Sequence, residues 1–104
     1  MKRFRNSIRH PEEKGRMRKS GRNTIFYDQL FDLHGLTGDD AVFRLKNFIS
    51  LHKNITVMIN HGKGTGTLRA RVRAFLKQHP SVSSVRPGEE IGLPEGDGVT
   101  IIKI

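Results

Sequence analysis

Histidine, lysine and three glycines at alternate positions occur in one short stretch, residues 61–69, which reads His-Gly-Lys-Gly-Thr-Gly-Thr-Leu-Arg. An apolar run at 55–59 precedes this stretch, and a helical pattern begins near Thr67. The order predicts a strand, a tight loop and a helix N-terminus, where backbone N–H groups and the positive end of the helix dipole favour an anion. We therefore predict that this glycine loop, residues 61–67, binds phosphate.

The glycine loop does not match the two common nucleotide-binding patterns. A P-loop requires Lys followed directly by Ser or Thr, whereas Gly64 follows Lys63 here. The dinucleotide fingerprint requires two residues between its second and third glycines, and Thr65 alone separates Gly64 from Gly66. The remaining candidate ligand is the phosphate of a polymer backbone, and the structural alternative is a glycine-rich turn selected only for tightness. The residues predicted to bind phosphate are Gly62, Lys63, Gly64, Thr65, Gly66, Thr67, Arg69 and Arg73.

A second candidate group is Asp32-x-His34, which follows an earlier apolar segment. An Asp two residues before a His can orient the imidazole and raise its basicity, which suits general acid–base chemistry on a phosphodiester. Because neighbouring parallel strands end at the same edge of a sheet, we expect His34 and His61 at one edge. The predicted catalytic residues are therefore Asp32, His34 and His61. In the alternative interpretation, His34 bonds a loop carbonyl and Asp32 caps a turn.

Asp32, His34 and His61 could also bind a metal, because carboxylate and imidazole are ligands for zinc or manganese. No spacing typical of metal ligands, such as His-x-x-x-His or paired acids, supports that interpretation. We therefore predict no metal and no other cofactor. His52 and His79 each close an apolar stripe near a predicted helix C-terminus, and we interpret them as capping or partly buried residues.

The hydrophobic pattern predicts the elements that position these groups. Apolar alternation predicts a strand ending near Gly35, and helical periodicity predicts helices over 38–52, with Thr37 as N-cap, and over roughly 66–79. Further strands are predicted at 55–59, 82–85 and 99–104, with a Pro- and Gly-rich loop at 86–97 whose acidic residues are expected in solvent. The order β-α-β-α-β-β predicts an α/β two-layer sandwich, with a four-stranded mixed sheet and two helices.

Positive charge is concentrated at the start of the chain. The 104 residues carry a net charge of +9, of which +7 lies in residues 1–23 and +2 in residues 24–104. We predict a basic arm over 1–23, disordered or forming a short helix on contact, and one domain over 24–104. Such an arm favours a polyanionic partner, nucleic acid before membrane. Because there is no Cys and no apolar run of membrane-spanning length, we expect a cytoplasmic protein. We also expect a monomer.

Three stretches of the chain resemble the signature of the small MutS-related, or Smr, domain family. They are FDLHGLT at 31–37, NHGKGTGTLR at 60–69 and EGDGVTII at 95–102. The resemblance covers about residues 28–104, and the Asp-x-His and His-Gly-x-Gly motifs of the family fall on Asp32 and His34 and on residues 61–64. Phe31 stands where Leu is commoner, and Glu95 precedes Gly96 where a second glycine is frequent. Neither departure removes a group that could do chemistry.

The resemblance implies a fold like that of the C-terminal domain of translation initiation factor three. It also implies a short, stand-alone member of the family, with nicking or endonuclease activity on DNA or RNA and with the ribosome as a further partner. We therefore expect a nucleic-acid-binding endonuclease. Two alternatives remain open, a non-catalytic module that binds nucleic acid or the ribosome, and an adaptor whose basic face meets an acidic protein.

Overall fold

The computed structural model describes the backbone of residues 16–20 and 23–104 and the side chains of residues 25–104. Within these residues the chain forms six strands and two helices. The elements are β1 (Arg16–Ser20), β2 (Asn23–Tyr27), β3 (Gln29–Asp32), α1 (Gly38–Leu51), β4 (Thr56–Asn60), α2 (Thr67–Gln78), β5 (Ser84–Pro87) and β6 (Val99–Lys103). A 3₁₀ turn, Gly96–Gly98, leads directly into β6.

Four of the strands form one mixed sheet in the order β3-β4-β6-β5. β3 runs parallel to β4, whereas β4 and β5 each pair antiparallel with β6. The predicted fold class, a four-stranded mixed sheet with two helices, is therefore confirmed. Asp32 of β3 pairs in register with Asn60 of β4, so the two strands end side by side. His34 and His61 consequently leave the sheet at the same edge, as the parallel arrangement predicted.

The main core lies between the helices and one face of the sheet. Side chains alternate along a strand, so Val57 and Ile59 of β4 face the helices while Met58 faces the other way. Both helices bury one apolar face against this side. The buried residues of this core are Leu33, Ala41, Leu45, Phe48, Ile49, Val57, Ile59, Val72, Leu76 and Ile102.

The other face of the sheet is covered by β2 and by the loop before β6. Ile25 and Tyr27 of β2 pack with Leu93 on Met58 and Ile101. The helices and the sheet form the two predicted layers, and this smaller apolar cluster closes the rear of the sheet. As a result the glycine loop is attached to a sheet that is covered on both faces.

The ends of the helices confirm the predicted capping residues. The Thr37 hydroxyl accepts a hydrogen bond from the Asp40 N–H at 3.2 Å, which satisfies one of the open N–H groups of α1. At the other end of this helix, His52 Nδ1 donates to the Phe48 carbonyl at 2.8 Å. After α2, His79 Nδ1 accepts the N–H of Ser81 at 3.1 Å.

The segment before α1 differs from the single predicted strand, because it contains two strands separated at Asp28. The N–H of Asp28 donates to the Thr56 carbonyl at 2.7 Å, and its carboxylate accepts the Thr56 N–H at 2.8 Å. These bonds attach the chain to the start of β4 and redirect it from the rear of the sheet to its edge.

Part of the predicted basic arm is also a strand. Residues 16–20, expected as disorder or a short helix, form β1 and pair antiparallel with β2. Strand pairing uses backbone groups and needs no apolar stripe on a helix face, so the scattered apolar residues of this segment do not prevent it. The prediction for residues 1–15 and 21–22 lies outside the described residues.

Candidate active site

A cleft of about 590 Å³ opens where the carboxyl ends of β3 and β4 meet the N-terminal ends of both helices. It is lined by residues 34–38, from the connection between β3 and α1, and by residues 61–68, from the glycine loop and the start of α2. The structure thus brings together the two segments from which the sequence predicted chemistry.

Asp32 and His34 form a close pair at the edge of this cleft. The Nδ1 atom of His34 lies 2.6 Å from Oδ1 of Asp32, which also accepts the His34 N–H at 3.1 Å. An ionised carboxylate can only accept, so the imidazole proton lies on Nδ1. The side-chain hydrogen bond from His34 holds the pKa of the Asp32 carboxyl below its usual range. The exposed imidazole therefore keeps Nε2 available, with no hydrogen-bond partner among the described residues.

Left-handed backbone at alternate residues shapes the glycine loop. Gly62, Gly64 and Gly66 have φ values of 76°, 40° and 88°. This conformation costs a residue with a Cβ atom roughly 1–2 kcal/mol. The Gly66 N–H donates to the Lys63 carbonyl at 3.1 Å and closes a tight turn directly before α2. The three glycines are thus required by the path of the backbone.

The glycine loop rests on the 3₁₀ turn that precedes β6. The Gly98 carbonyl accepts the N–H groups of His61 and Gly62 at 3.1 and 3.0 Å, and Asn60 Oδ1 also accepts the Gly62 N–H at 3.1 Å. A Cβ atom on Gly98 would lie only 3.3 Å from Lys63 Cγ, so the two segments pack closely. The glycine loop is therefore held against the 3₁₀ turn.

Several backbone N–H groups of this segment have no acceptor within the described part of the chain. Three of them belong to the glycine loop, at Lys63, Gly64 and Thr65, and two to the first turn of α2, at Leu68 and Arg69. Lys63 is an exposed residue whose ammonium group lies close to Gly96 of the 3₁₀ turn, and it adds a full positive charge. Open N–H groups at a helix N-terminus beside a lysine favour an anion.

His61 differs from His34 because it is buried and both of its ring nitrogens are bonded. Nδ1 donates to the Gly62 carbonyl at 3.0 Å, and Nε2 accepts the Thr100 hydroxyl at 2.8 Å. Burial lowers the pKa of this imidazole and favours its neutral form. In this arrangement His61 therefore has no free ring nitrogen for its predicted role as a second proton carrier.

Arg69 and Arg73, both predicted to bind phosphate, are engaged in ion pairs away from the cleft lining. Arg69 donates to Asp97 at 3.0 Å, and Arg73 binds both carboxylate oxygens of Glu89 at 2.8 and 2.9 Å. The hydrogen bond from Arg73 lowers the pKa of Glu89 to about 2. Asp97 and Glu89, which were expected in solvent with the other acidic residues of the late loop, are 41% and 44% exposed and are also ion-paired with these arginines.

Thr100 is the site residue that the sequence reasoning missed. It is fully buried and accepts a hydrogen bond from Arg73 Nε at 2.8 Å while it contacts His61. A signal was present, because strand alternation places Thr100 on the same face as Ile102. A hydroxyl on the helix-covered face of a sheet requires polar partners, and the chain supplies two.

The described residues contain no cluster of three or more His, Asp or Glu side chains that could hold a metal ion. Asp32 and His34 are paired with each other, and His61 is bonded inside the protein. No helix in the described part of the chain is both long and apolar enough to cross a membrane.

Comparison with known proteins agrees with this geometry. The family model "Smr domain" matches residues 31–104. A protein named Endonuclease MutS2 from Geobacillus kaustophilus is 45% identical over 76 residues, which is 70% of this chain and 9% of that protein. One of the same name from Clostridium beijerinckii is 36% identical over 97 residues, or 89% of this chain and 12% of the relative.

A solved structure of the Smr domain of Thermus thermophilus MutS2 is also similar. Its TM-score is 0.60 at 31% identity, and the match covers 72% of this chain and 95% of that one. Our chain spans only about a tenth of the MutS2 relatives, and the shared part is the Smr region. The matched region contains Asp32, His34 and the whole glycine loop, as the resemblance of the three sequence stretches implied. The chain therefore belongs to the Smr domain family.

Proposed function

We propose that this protein cleaves phosphodiester bonds of DNA or RNA in the cleft between His34 and the glycine loop. The observation that supports this function best is the 2.6 Å contact between His34 Nδ1 and Asp32, which leaves Nε2 accessible beside a loop with open N–H groups. The name Endonuclease MutS2 of the relatives supports the same class of reaction. A cytoplasmic location is consistent with this substrate.

In the proposed reaction, His34 Nε2 removes a proton from the attacking oxygen. That oxygen belongs to water or, in RNA, to the adjacent 2′-hydroxyl group. A new oxygen–phosphorus bond forms, the bond from phosphorus to the leaving oxygen breaks, and the leaving oxygen takes up a proton from water. Asp32 acts as a positioning residue, because its carboxylate holds Nδ1–H and stabilises the imidazolium that forms.

The glycine loop and Lys63 would bind the phosphate that reacts or the one next to it. Negative charge on the non-bridging oxygens increases during the reaction, and the N–H groups of Lys63, Gly64 and Thr65 are suited to stabilise it. Arg69 and Arg73 could bind phosphate only after leaving Asp97 and Glu89. We therefore propose the loop and Lys63 as the main contacts.

A second candidate function is a module that binds nucleic acid or the ribosome without cutting. The state of His61 favours it, because both ring nitrogens are already bonded and, among residues 25–104, His34 is then the one accessible imidazole beside the cleft. A reaction that needs a separate acid for the leaving oxygen would lack it. Under this hypothesis the glycine loop binds the backbone and turnover is absent.

Cleavage and binding measured on the same samples distinguish the two functions. End-labelled single-stranded and duplex RNA and DNA would be incubated with the protein and with its His34→Ala variant, with and without a chelator. The endonuclease hypothesis predicts fragments with the unmodified protein and almost none with the variant, at similar binding affinity. Binding without fragments under every condition would reject cleavage and support the binding module.

A further inference from the structure

We propose that Thr100 is a positioning residue that sets the orientation of the glycine loop through His61. A chain of hydrogen bonds runs from Glu89 through Arg73, Thr100 and His61 to the carbonyl of Gly62. The chain begins in the loop before β6 and ends at the first glycine of the phosphate site. Its consequence for cleavage rests on the proposed function, whereas its effect on the loop does not.

The donors and acceptors along this chain allow one arrangement. A guanidinium group can only donate, so the hydroxyl oxygen of Thr100 accepts from Arg73 Nε at 2.8 Å. The Gly62 carbonyl can also only accept, so the imidazole proton lies on Nδ1, which donates to it at 3.0 Å. In this tautomer Nε2 is an acceptor, and the Thr100 hydroxyl donates to it at 2.8 Å. Thr100 thus supplies the donor that matches this tautomer of His61.

The bond from His61 to the Gly62 carbonyl also fixes the next N–H group. In a planar trans peptide the carbonyl oxygen and the following N–H point in opposite directions. With the oxygen held by His61, the N–H of Lys63 is turned away from the imidazole, and it has no acceptor among the described residues. Gly62 has a φ of 76° and no Cβ atom, so its backbone preferences do not fix the orientation of the peptide between Gly62 and Lys63.

Burial makes the members of this chain depend on one another. Thr100 is 0% exposed and His61 3%, and the Arg73 side chain is 13% exposed. A buried polar group that loses its partner is destabilised, so removal of one hydroxyl affects the whole chain. Glu89 is the member that reaches solvent, with 44% of its side chain exposed.

The test compares Thr100→Val, which keeps the shape and loses the hydroxyl, with Thr100→Ser, which keeps the hydroxyl. Thr56→Val is the matched control, because the Thr56 hydroxyl makes no hydrogen bond in the described structure and lies at the other end of β4. The first readout is NMR of the ligand-free proteins, with the ¹⁵N shift of His61 Nε2 and the amide exchange rates of the glycine loop.

Thr100→Val is expected to shift the His61 Nε2 resonance and to speed amide exchange at Gly62 and Gly66 about tenfold. The exchange rates of the helix amides should stay unchanged. Thr100→Ser and Thr56→Val should behave like the unmodified protein. Unchanged exchange rates of the loop amides in Thr100→Val would overturn the proposal, whatever the shift of the Nε2 resonance. This readout needs no turnover, so it also stands if the protein proves not to cut nucleic acid.

The second readout is cleavage of a labelled single-stranded RNA or DNA by the same variants. Thr100→Val is expected to lower kcat by about tenfold or more, because the phosphate is displaced relative to an intact His34. Rescue by Thr100→Ser would show that the hydroxyl is responsible. An unchanged kcat in a variant whose loop amides exchange faster would overturn the link between loop orientation and catalysis. Absence of cleavage by the unmodified protein would reject the proposed function and leave the first readout valid.

Discussion

The Nδ1 atom of His34 lies 2.6 Å from the Asp32 carboxylate, which leaves the opposite ring nitrogen accessible at the cleft. His61 leaves the sheet at the same edge but has both ring nitrogens bonded to Gly62 and Thr100. We therefore propose different roles for the two histidines, with His34 in proton transfer and His61 in holding the loop.

Replacement of Asp32 by Asn tests the role of the carboxylate. The neutral amide can still accept a hydrogen bond from His34, but it cannot stabilise a positive imidazolium. We expect Asp32→Asn to lower kcat for cleavage by about 10²-fold with little change in KM. Asp40→Asn is the control, since it removes an exposed carboxylate that does not contact His34. Equal loss in both variants would contradict a specific role for Asp32.

Lys63→Ala tests whether the ammonium group at the glycine loop contacts phosphate. Each phosphate contact releases counterions, so loss of one contact lowers the slope of log K against log salt concentration by about 1. We expect this change for Lys63→Ala, together with weaker binding at low salt, in titrations of a labelled oligonucleotide. Lys53→Ala removes a charge just beyond the C-terminal end of α1, far from the cleft, and should leave the slope nearly unchanged. The same slope for Lys63→Ala and the unmodified protein would argue against the contact.

Gly66→Ala and Gly64→Ala separate backbone strain from contact in the glycine loop. Both residues have a positive φ, so each substitution is expected to cost roughly 1–2 kcal/mol in the free energy of unfolding. A Cβ on Gly66 would also lie 2.6 Å from Arg69 Nη2 and displace it from Asp97, whereas Gly64 faces open space. The partly exposed ion pair adds about 0.5 kcal/mol to the cost at Gly66. Urea unfolding measures both values, and a Gly64→Ala protein less stable than Gly66→Ala would contradict this explanation.

Glu89→Gln tests the ion pair with Arg73 through the pH dependence of stability. The pKa of Glu89 is about 2 in the folded protein and ordinarily 4.5, so the unfolded chain binds its proton first as the pH falls. The contribution of the pair is therefore complete above pH 4.5 and is lost as the pH approaches 2. Because Glu89 is 44% exposed, we expect screening to reduce this contribution to about 1 kcal/mol.

Urea unfolding at pH 7 and at pH 3 checks this expectation. The Glu89→Gln protein should be less stable than the unmodified protein at pH 7, and the difference should shrink at pH 3. The neighbouring Glu90→Gln variant provides the control, because the exposed side chain of Glu90 has no ion pair within the described residues. A difference that stays constant or grows on acidification would contradict the ion-pair interpretation.

Local patterns in the sequence predicted the elements and the two segments of the site. Apolar periodicity located both helices, and Thr37 marked the start of α1. Parallel pairing of the first two strands of the sheet then required His34 and the glycine loop to meet at one edge. These features depend on neighbouring residues and on one general rule of sheet topology.

Contacts between distant residues could not be predicted in the same way. The partners of Arg73 are Glu89, 16 residues away, and Thr100, 27 residues away. Both contacts depend on the path of the loop between β5 and β6, which has no periodic pattern. The break at Asp28 likewise results from bonds to Thr56, 28 residues further along. His61 was predicted to be catalytic from its residue type. The long-range contacts on which its role depends have no local signal in the sequence.

The cleavage rate of His34→Ala relative to His79→Ala tests whether His34 carries out the proton transfer. His79 lies at the C-terminal end of α2, away from the cleft, so its removal controls for the loss of an imidazole and for contaminating nucleases. The two variants would be purified identically and assayed on the same labelled RNA and DNA. We expect His34→Ala to cut about 10²- to 10⁴-fold more slowly, while His79→Ala cuts at the rate of the unmodified protein. Equal cleavage by the two variants would contradict a catalytic role for His34.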